Sequence, residues 1–592
     1  MARGEHLMGS APSVKRTAGA GLSQYFPFLE QLRHYNRQAL MGDLTAGLIV
    51  AIMLIPQGMA YALLAGLPPQ QGLYASILPL VLYGLLGTSR HLAVGPVAIV
   101  SLLTAASVGA IASEGSAQYI QLAITLALLV GILQTGMGLL RLGFLVNFLS
   151  HPVLVGFSSA AAIVIGFSQV KNLLGVSPGS AELFWEQLVQ LFQVLPQTNW
   201  ITLALGLGAI LLLWFFKNKL AAVLARLGVG QMLALSLAKM GPLVVVVVST
   251  LLVVLLQLNT RSGVSIVGDV PAGLPPIAIP DFDLGTWRML LTTALAISFV
   301  GYMESISVAK SLASKKRQKV DANQELIALG VANLGATFTG GYPVTGGFSR
   351  SLVNYAAGAE TTMASIFTAL LVGLSVLLLT PLFFFIPKAV LAAIILVAVA
   401  GLIDFKTFLR VWQFNKRDAI ALIITFVAVL AIGIENGILV GAVTSLVLFI
   451  ERTSNPHCAI VGRLPDSQFY RNVNRFQTQT WPGVSLLRVD ASLYFGNVKA
   501  LQAQVSTILA EQPELKHLVL IGTAINDVDF SALEALEAIW LNLVASGVTL
   551  HLSAFKGPVL DKLEQSGFLA HIGRENLHLT THDAMRDLGY VS

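Results

Sequence analysis

The chain has 592 residues, 55% of them hydrophobic and only 11% charged, with a mean hydropathy of +0.76. A soluble domain is about a quarter charged, so the composition excludes an ordinary soluble protein and marks a membrane protein up to about Glu451. The net charge of +6 is scattered in short basic runs between apolar segments, which excludes nucleic acid as a partner, since no basic stripe with interleaved aromatics is present.

Residues 1–23 are small and polar with a few basic side chains, and they lack the apolar core of a signal peptide. They are expected to form a disordered cytoplasmic tail. A membrane domain is expected over 24–451 and a separate domain over 459–592. The one cysteine, Cys458, permits no intramolecular disulfide.

A helix needs about 20 apolar residues to cross a bilayer. Candidate spans run near 43–64, 70–86, 118–140, 151–171, 200–216, 237–258, 288–309, 323–339, 361–385, 388–403, 418–433 and 436–450. Shorter ones run near 96–111 and 347–356, giving about fourteen transmembrane segments. Arg90, Arg141, Lys217, Lys219, Arg226, the run Lys315–Lys319 and the stretch Lys406–Arg417 all follow even-numbered spans. Positive loops stay in the cytoplasm, and an even count places both termini there. The loop 259–287 falls on the other side, with Asp269, Asp281 and Asp283 against Arg261.

The two short spans each follow a break rich in glycine and proline, Gly87–Pro96 and Gly340–Arg350. Irregular backbone persists at membrane depth only where it is buried in protein or lines a cavity. A pair of breaks in corresponding positions points to a transporter's binding site. The third span enters from the cytoplasm and the tenth from outside, so the half-helices oppose one another. Two electropositive helix N-termini meeting near the midplane form an anion site. The separation of seven spans fits two inverted halves of seven.

Beyond Glu451 the pattern changes. Strands are predicted at 484–493, 516–523 and 548–555, a helix at 531–546 and an amphipathic helix at 558–570. Alternating strands and helices make a small α/β domain.

Arg350 sits in the opening turn of the tenth span. A cation there has the wrong sign for the helix dipole and is costly in the membrane. Both penalties shrink when an anion lies between the guanidinium and the helix end; the alternative is an arginine that snorkels or pairs with a carboxylate. Ser349 beside it can donate to an oxyanion. Glu304 is an isolated carboxylate in the span 288–309, expensive when ionised, which suits a proton carrier, a Na⁺ ligand aided by Ser305 or Ser307, or an internal partner for Arg350. Gln57 and Tyr61 share a face of the first span at i and i+4, where they can wall the pocket or merely pack around a kink at Pro56. Glu435 reads as a solvated turn residue, and His91 and His151 fall at predicted interfaces. No Ser/His/Asp set and no metal cluster appears in the spans, so an enzyme is not expected.

Pro56–Tyr61, Leu67–Tyr74, Gly87–His91 with Gly95-Pro96, and Gly340–Asn354 with its Ser-Arg-Ser-Leu-Val run together resemble, in order and spacing, the signature regions of SulP anion transporters. That family includes bacterial sulfate permeases, bicarbonate transporters and animal anion exchangers. The C-terminal domain resembles a STAS module. The resemblance implies two inverted repeats of seven spans arranged as core and gate domains, a homodimer, and elevator-type alternating access. It implies an anion pocket of Gln57, Tyr61, Val97, Ser349 and Arg350, and a coupling-ion residue at Glu304. Val97 stands where some animal members carry phenylalanine, which leaves a roomier pocket. Cyanobacterial bicarbonate members use aspartate for Na⁺ where this chain has Glu304, which tilts the expectation toward protons. In the STAS domain Ser531 lies near a site that is phosphorylated in soluble relatives, although it reads more simply as the cap of a helix starting at Ala532.

The expectation is therefore a secondary active transporter of a small inorganic oxyanion in the cytoplasmic (inner) membrane, sulfate by proton symport first. A Na⁺-coupled bicarbonate transporter, a C4-dicarboxylate transporter and an uncoupled anion channel are the alternatives. No cofactor is expected besides the coupling ion, H⁺ or Na⁺.

Overall fold

The computed structural model describes residues 26–33, 35–144, 150–178, 184–228, 230, 234, 237, 238 and 240–592; the tail expected at 1–23 lies outside the described residues. The chain forms two compact units that meet in sequence between Ser445 and Leu446.

The apolar part is built from fourteen principal helices among the described residues. They are α1 (Arg37–Leu64), α2 (Leu78–Leu86), α3 (Ala98–Gly109), α4 (Ala117–Leu139), α5 (His151–Leu174), α6 (Trp200–Phe215), α7 (Gly241–Leu256), α8 (Leu284–Lys315), α9 (Ala322–Phe338), α10 (Phe348–Ala356), α11 (Met363–Leu378), α12 (Lys388–Val399), α13 (Lys416–Ile432) and α14 (Ile434–Ser454). Seven helical stretches have the length and apolarity to cross a bilayer, and α3, α7 and α11 are apolar but shorter. The span predicted at 70–86 is interrupted: a short helix, Pro69–Tyr74, precedes α2. The span at 200–216 continues through a π-helical turn, Phe216–Leu220, which carries Lys217 and Lys219. The turn expected at 433–437 shrinks to Gly433, whose φ of +90° only glycine adopts easily, and α14 starts at once. α4 and α9 pack closely, with Gly131 against Leu334 and Gly330 against Thr135, where a Cβ would clash.

Between α2 and α3, and between α9 and α10, the chain unwinds into two short strands, β1 (Val94–Gly95) and β2 (Thr345–Gly346). They pair antiparallel, Val94 opposite Gly346 and Gly95 opposite Thr345. Backbone groups freed from a helix inside lipid must find partners, and each strand supplies them to the other.

The second unit is an α/β fold. Its six-stranded sheet has the order β4 (Tyr470–Asn472), β3 (Cys458–Arg463), β5 (Val484–Val489), β6 (His517–Ile521), β7 (Thr549–Ser553) and β8 (Leu577–His578). β5 to β8 run parallel and β3 is antiparallel to both its neighbours. Helices α15 (Val498–Glu511) and α16 (Phe530–Ala545) cover one face, packing Val505, Ile508, Leu536 and Ile539 on Leu487, Leu518 and Leu520. Alternate strand residues, Leu486, Val519 and Ile521, face the other side with Met585, as the two-residue period of a strand requires. The helix expected at 558–570 is two helices, α17 (Gly557–Gln565) and α18 (Phe568–Ile572), parted at Gly567 (φ +82°). The cap of α16 is Asp529, which accepts from the Ala532 N–H at 2.8 Å; Ser531 is an exposed residue inside the helix, so the capping role expected for it is not observed.

Candidate functional site

The crossing of β1 and β2 delivers the first turns of α3 and α10 to one place. Three side chains of α10, at positions 350, 351 and 354, lie on one face and stitch it to the first break. Arg350 Nη1 donates to the Pro96 carbonyl at 2.7 Å. Ser351 Oγ accepts from the Ala93 N–H at 2.9 Å. Asn354 Nδ2 donates to the His91 carbonyl at 3.2 Å. The Gly347 N–H adds a bond to the Ala93 carbonyl at 3.0 Å.

The second break is held from behind by α8 and α9. Ser305 Oγ accepts from the Gly346 N–H at 2.8 Å and lies 2.8 Å from Thr345 Oγ1. Thr345 Oγ1 donates to the Gly301 carbonyl at 2.7 Å. Asn333 brackets Val344, accepting from its N–H at 2.8 Å and donating to its carbonyl at 3.0 Å. A Cβ on Gly346 would lie 2.6 Å from Leu92 Cδ1 and 2.8 Å from Ser305 Oγ, so a larger residue there would force these buried side chains to shift.

Arg350 is 2% exposed. One of its nitrogens holds Pro96, while Nε and Nη2 have no protein partner. A buried guanidinium with two idle donors is expensive, and a ligand that accepts from both removes the penalty. Glu304, Tyr61 and Tyr342 lie within electrostatic reach. Glu304 accepts from the backbone N–H of Phe348, the first residue of α10, while its Oε2 is unpartnered. No ion pair joins Glu304 to Arg350 among the described residues, so the carboxylate is a neighbour of the guanidinium and not its partner.

Of the other residues singled out in the sequence, Gln57 and Tyr61 are each 6% exposed on α1, which carries Pro56 in its interior. Val97 is also 6% exposed and is the residue from which α3 starts. Ser349, the residue before Arg350 on α10, is exposed. His91 was expected at an interface, yet it is 1% exposed, with its ring edge-on to Tyr355 at 5.1 Å. His151 is exposed.

Sequence reading overlooked several groups. Tyr342 is fully buried and its hydroxyl lies 3.0 Å from that of Ser101, in the first turn of α3. Glu325, fully buried at the start of α9, accepts from Thr88 N–H at 2.7 Å, Ser89 N–H at 2.9 Å and Tyr83 OH at 2.9 Å. Asp43, fully buried on α1, accepts from the N–H groups of Glu360 at 2.7 Å and Thr361 at 2.9 Å. Both carboxylates are satisfied by local donors and fasten the chain on either side of the crossing. Asn333 was legible in principle as a polar residue deep in an apolar span.

Comparison with known proteins follows the same division. Residues 40–425 match the sulfate permease family and residues 475–584 match the STAS domain. "Sulfate transporter 4.1, chloroplastic" of Arabidopsis thaliana is 37% identical over 574 residues, covering 95% of this chain and 82% of its own. "High affinity sulfate transporter 2" of Stylosanthes hamata is 34% identical over 588 residues, covering 96% and 87%. Among solved structures, murine solute carrier 26 family member A9, an anion transporter in the inward-facing state, superposes with a TM-score of 0.87 at 25% identity, covering 99% of this chain and 97% of that one. The transmembrane domain of the cyanobacterial bicarbonate transporter BicA shares the fold, with a TM-score of 0.57 over 70% of this chain and 98% of its own, at 22% identity. The family match over more than half of the length, the plant relatives spanning nearly all of it and the crossed half-helices agree: this multi-pass membrane chain belongs to the sulfate permease (SulP) family and ends in a STAS domain.

Proposed function

We propose that the protein is a secondary active transporter that carries a small inorganic oxyanion, sulfate first, by symport with protons. The observation that supports this most directly is the pair of idle donors on buried Arg350, set beside the N-termini of two opposed half-helices. Tetrahedral oxyanions accept from a guanidinium in a fork and from helix N-termini, and the plant relatives are named as sulfate transporters.

In this reading Arg350 and the N–H groups opening α3 and α10 hold the anion. Gln57, Tyr61, Val97 and Ser349 wall it, and Tyr342 joins them through Ser101. Glu304 takes the proton: ionised, it competes with the anion for the α10 N-terminus and for Arg350; neutral, it yields both. Proton and anion therefore favour each other's binding, which is what symport requires of a coupling group. The stitched unit of β1, β2, α3, α8 and α10 moves as one body in an elevator-type cycle, in a homodimer, with both termini in the cytoplasm of a cell whose inner membrane holds it. The protein is not an enzyme.

Uptake of radiolabelled sulfate by purified protein in liposomes tests this. An inward proton gradient should drive accumulation beyond electrochemical equilibrium. Sulfate that merely equilibrates with the membrane potential would mean a channel, and uptake that follows Na⁺ or favours bicarbonate or succinate would assign a different coupling ion or cargo.

A further inference from the structure

Three histidines form a diagonal on one face of the STAS sheet, on the adjacent strands β6, β7 and β8, each two positions out of register with the next: His551 pairs with Val519 and His578 with Ser553. His517 Nδ1 lies 3.1 Å from His551 Nε2. His551 Nδ1 lies 3.4 Å from His578 Nε2. His578 Nδ1 lies 3.1 Å from Asp587 Oδ2, in the last turn of helix α19 (Thr581–Asp587). His551 is 3% exposed and the His578 side chain is 3% exposed, whereas Asp587 is 53% exposed. The half-buried His517 is the outer end.

The contacts share a polarity: every inner nitrogen that faces the carboxylate is Nδ1, and every nitrogen that faces outward is Nε2. An ionised Asp587 requires the proton of His578 on Nδ1. That leaves Nε2 of His578 bare, which requires the proton of His551 on Nδ1, and the same step fixes His517. One tautomer throughout therefore satisfies every contact. Each of the three junctions holds one proton, and Nε2 of His517 is left open.

We infer that this ladder is a proton-binding site that takes up one proton, and only one, and settles its charge between His578 and Asp587. A proton that arrives on Nε2 of His517 releases the proton on Nδ1 to His551, which releases its own to His578. Each N–H bond that breaks is replaced by one that forms on the next ring. The end state has neutral His517 and His551 protonated on Nε2, and His578 as an imidazolium facing the Asp587 carboxylate. All three junctions still hold one proton each, with the direction of the two ring-to-ring bonds reversed. A second proton would place two N–H groups face to face at a junction.

The surroundings favour that end. Partial burial, and then the neighbouring Lys516, lower the affinity of His517 for a proton, and burial between two rings holds His551 at about 4. At the inner end Asp587 attracts the charge, while Arg586, whose Nε is 3.9 Å from Asp587 Oδ1, opposes it and is itself engaged by Asp583 at 3.0 Å. His582 on the same helix contacts the Tyr470 hydroxyl at 3.4 Å, and the Tyr590 ring lies edge-on to His517 at 6.5 Å. An aspartate ending a helix opposes its dipole, and an imidazolium beside it removes the conflict. Proton binding thus draws α19 onto the edge of the sheet.

Nitrogen-15 NMR of the full chain in lipid nanodiscs, with labelled histidine, reads the tautomers directly, and His517→Gln and His578→Gln assign the signals. At about pH 8, above the usual range of imidazole titration, all three rings should be protonated on Nδ1; at about pH 5.5 His578 alone should be an imidazolium, with His517 and His551 protonated on Nε2. Exchange protection of α19, corrected for intrinsic rates, should rise a few-fold over the same interval. His551→Gln should abolish the tautomer reversal; if that variant does not fold, the spectra of the unaltered chain decide alone. Two or more imidazolium rings in the ladder, Nε2-protonated rings at the higher pH, or no proton uptake by the lower pH would each overturn the inference.

Discussion

Arg350→Lys separates charge from geometry. The guanidinium divides its nitrogens: Nη1 holds the Pro96 carbonyl at 2.7 Å, and Nε and Nη2 have no protein partner and are the donors proposed for the anion. A lysine keeps the charge but is a single compact donor group on a flexible stem. It can hold the carbonyl or reach the anion, and it cannot present a fork. A hydrogen bond to a charged group contributes about 1.5–3 kcal/mol, so the loss of one should weaken sulfate binding by roughly ten- to a hundredfold. Arg350→Ala removes both anion contacts and orphans Pro96, and the loss should exceed about a hundredfold. Equilibrium binding of labelled sulfate to purified protein measures both, with thermal unfolding run alongside to detect misfolding. A folded Arg350→Ala protein that binds sulfate as well as the unaltered chain would take this residue out of the pocket. A folded Arg350→Lys protein with unchanged affinity would show that charge alone suffices.

Glu304→Gln should abolish proton-driven accumulation in liposomes while sulfate exchange persists; full gradient-driven uptake would place coupling elsewhere. Gly346→Ala forces a Cβ against Leu92 and Ser305, which should cost about 1–3 kcal/mol and lower the sulfate uptake rate, whereas unchanged uptake would mean that the crossing tolerates displacement. Asp529→Ala should destabilise the STAS domain by about 1 kcal/mol through loss of the α16 cap, and Ser531→Ala should change it by less than about 0.5 kcal/mol; chemical denaturation distinguishes them, and the reverse order would restore Ser531 as the cap. His551 is held at about 4 in the fold against about 6.5 in an unfolded chain. In that window the unfolded state binds more protons, so stability present above about pH 6.5 is lost as the pH falls toward 4, on the order of 1–2 kcal/mol after solvent screening. Exchange protection of β7 should fall accordingly, and protection independent of pH would refute the argument.

The sequence spoke clearly wherever one residue type had to answer to the bilayer. Glycine and proline breaks announced the two crossed strands because lipid leaves so few uses for irregular backbone, and Arg350 and Glu304 stood out as charges in apolar runs. Ser351, Asn354 and Asn333 did not stand out, and Ser305 stood out only as a helper to a Na⁺ site. Their value lies in which backbone group each one meets across 11 to 263 positions of chain, and small polar residues are ordinary in packed membrane helices. Glu325 went unremarked because its partners, Thr88, Ser89 and Tyr83, lie far away in sequence. In the STAS domain the sequence suggests Ser531 as the cap where the structure has Asp529, because helix starts are legible only to within a residue or two. The histidine ladder was invisible for another reason: it exists only once three parallel strands are placed side by side.

The most direct test of the central claim is a structure of the protein with selenate in place of sulfate, located by the anomalous scattering of selenium. The expected peak lies within hydrogen-bond reach of Arg350 Nε and Nη2 and of the N–H groups opening α3 and α10. A fully occupied selenate anywhere else along the transport path, with those two nitrogens still unpartnered, would contradict it.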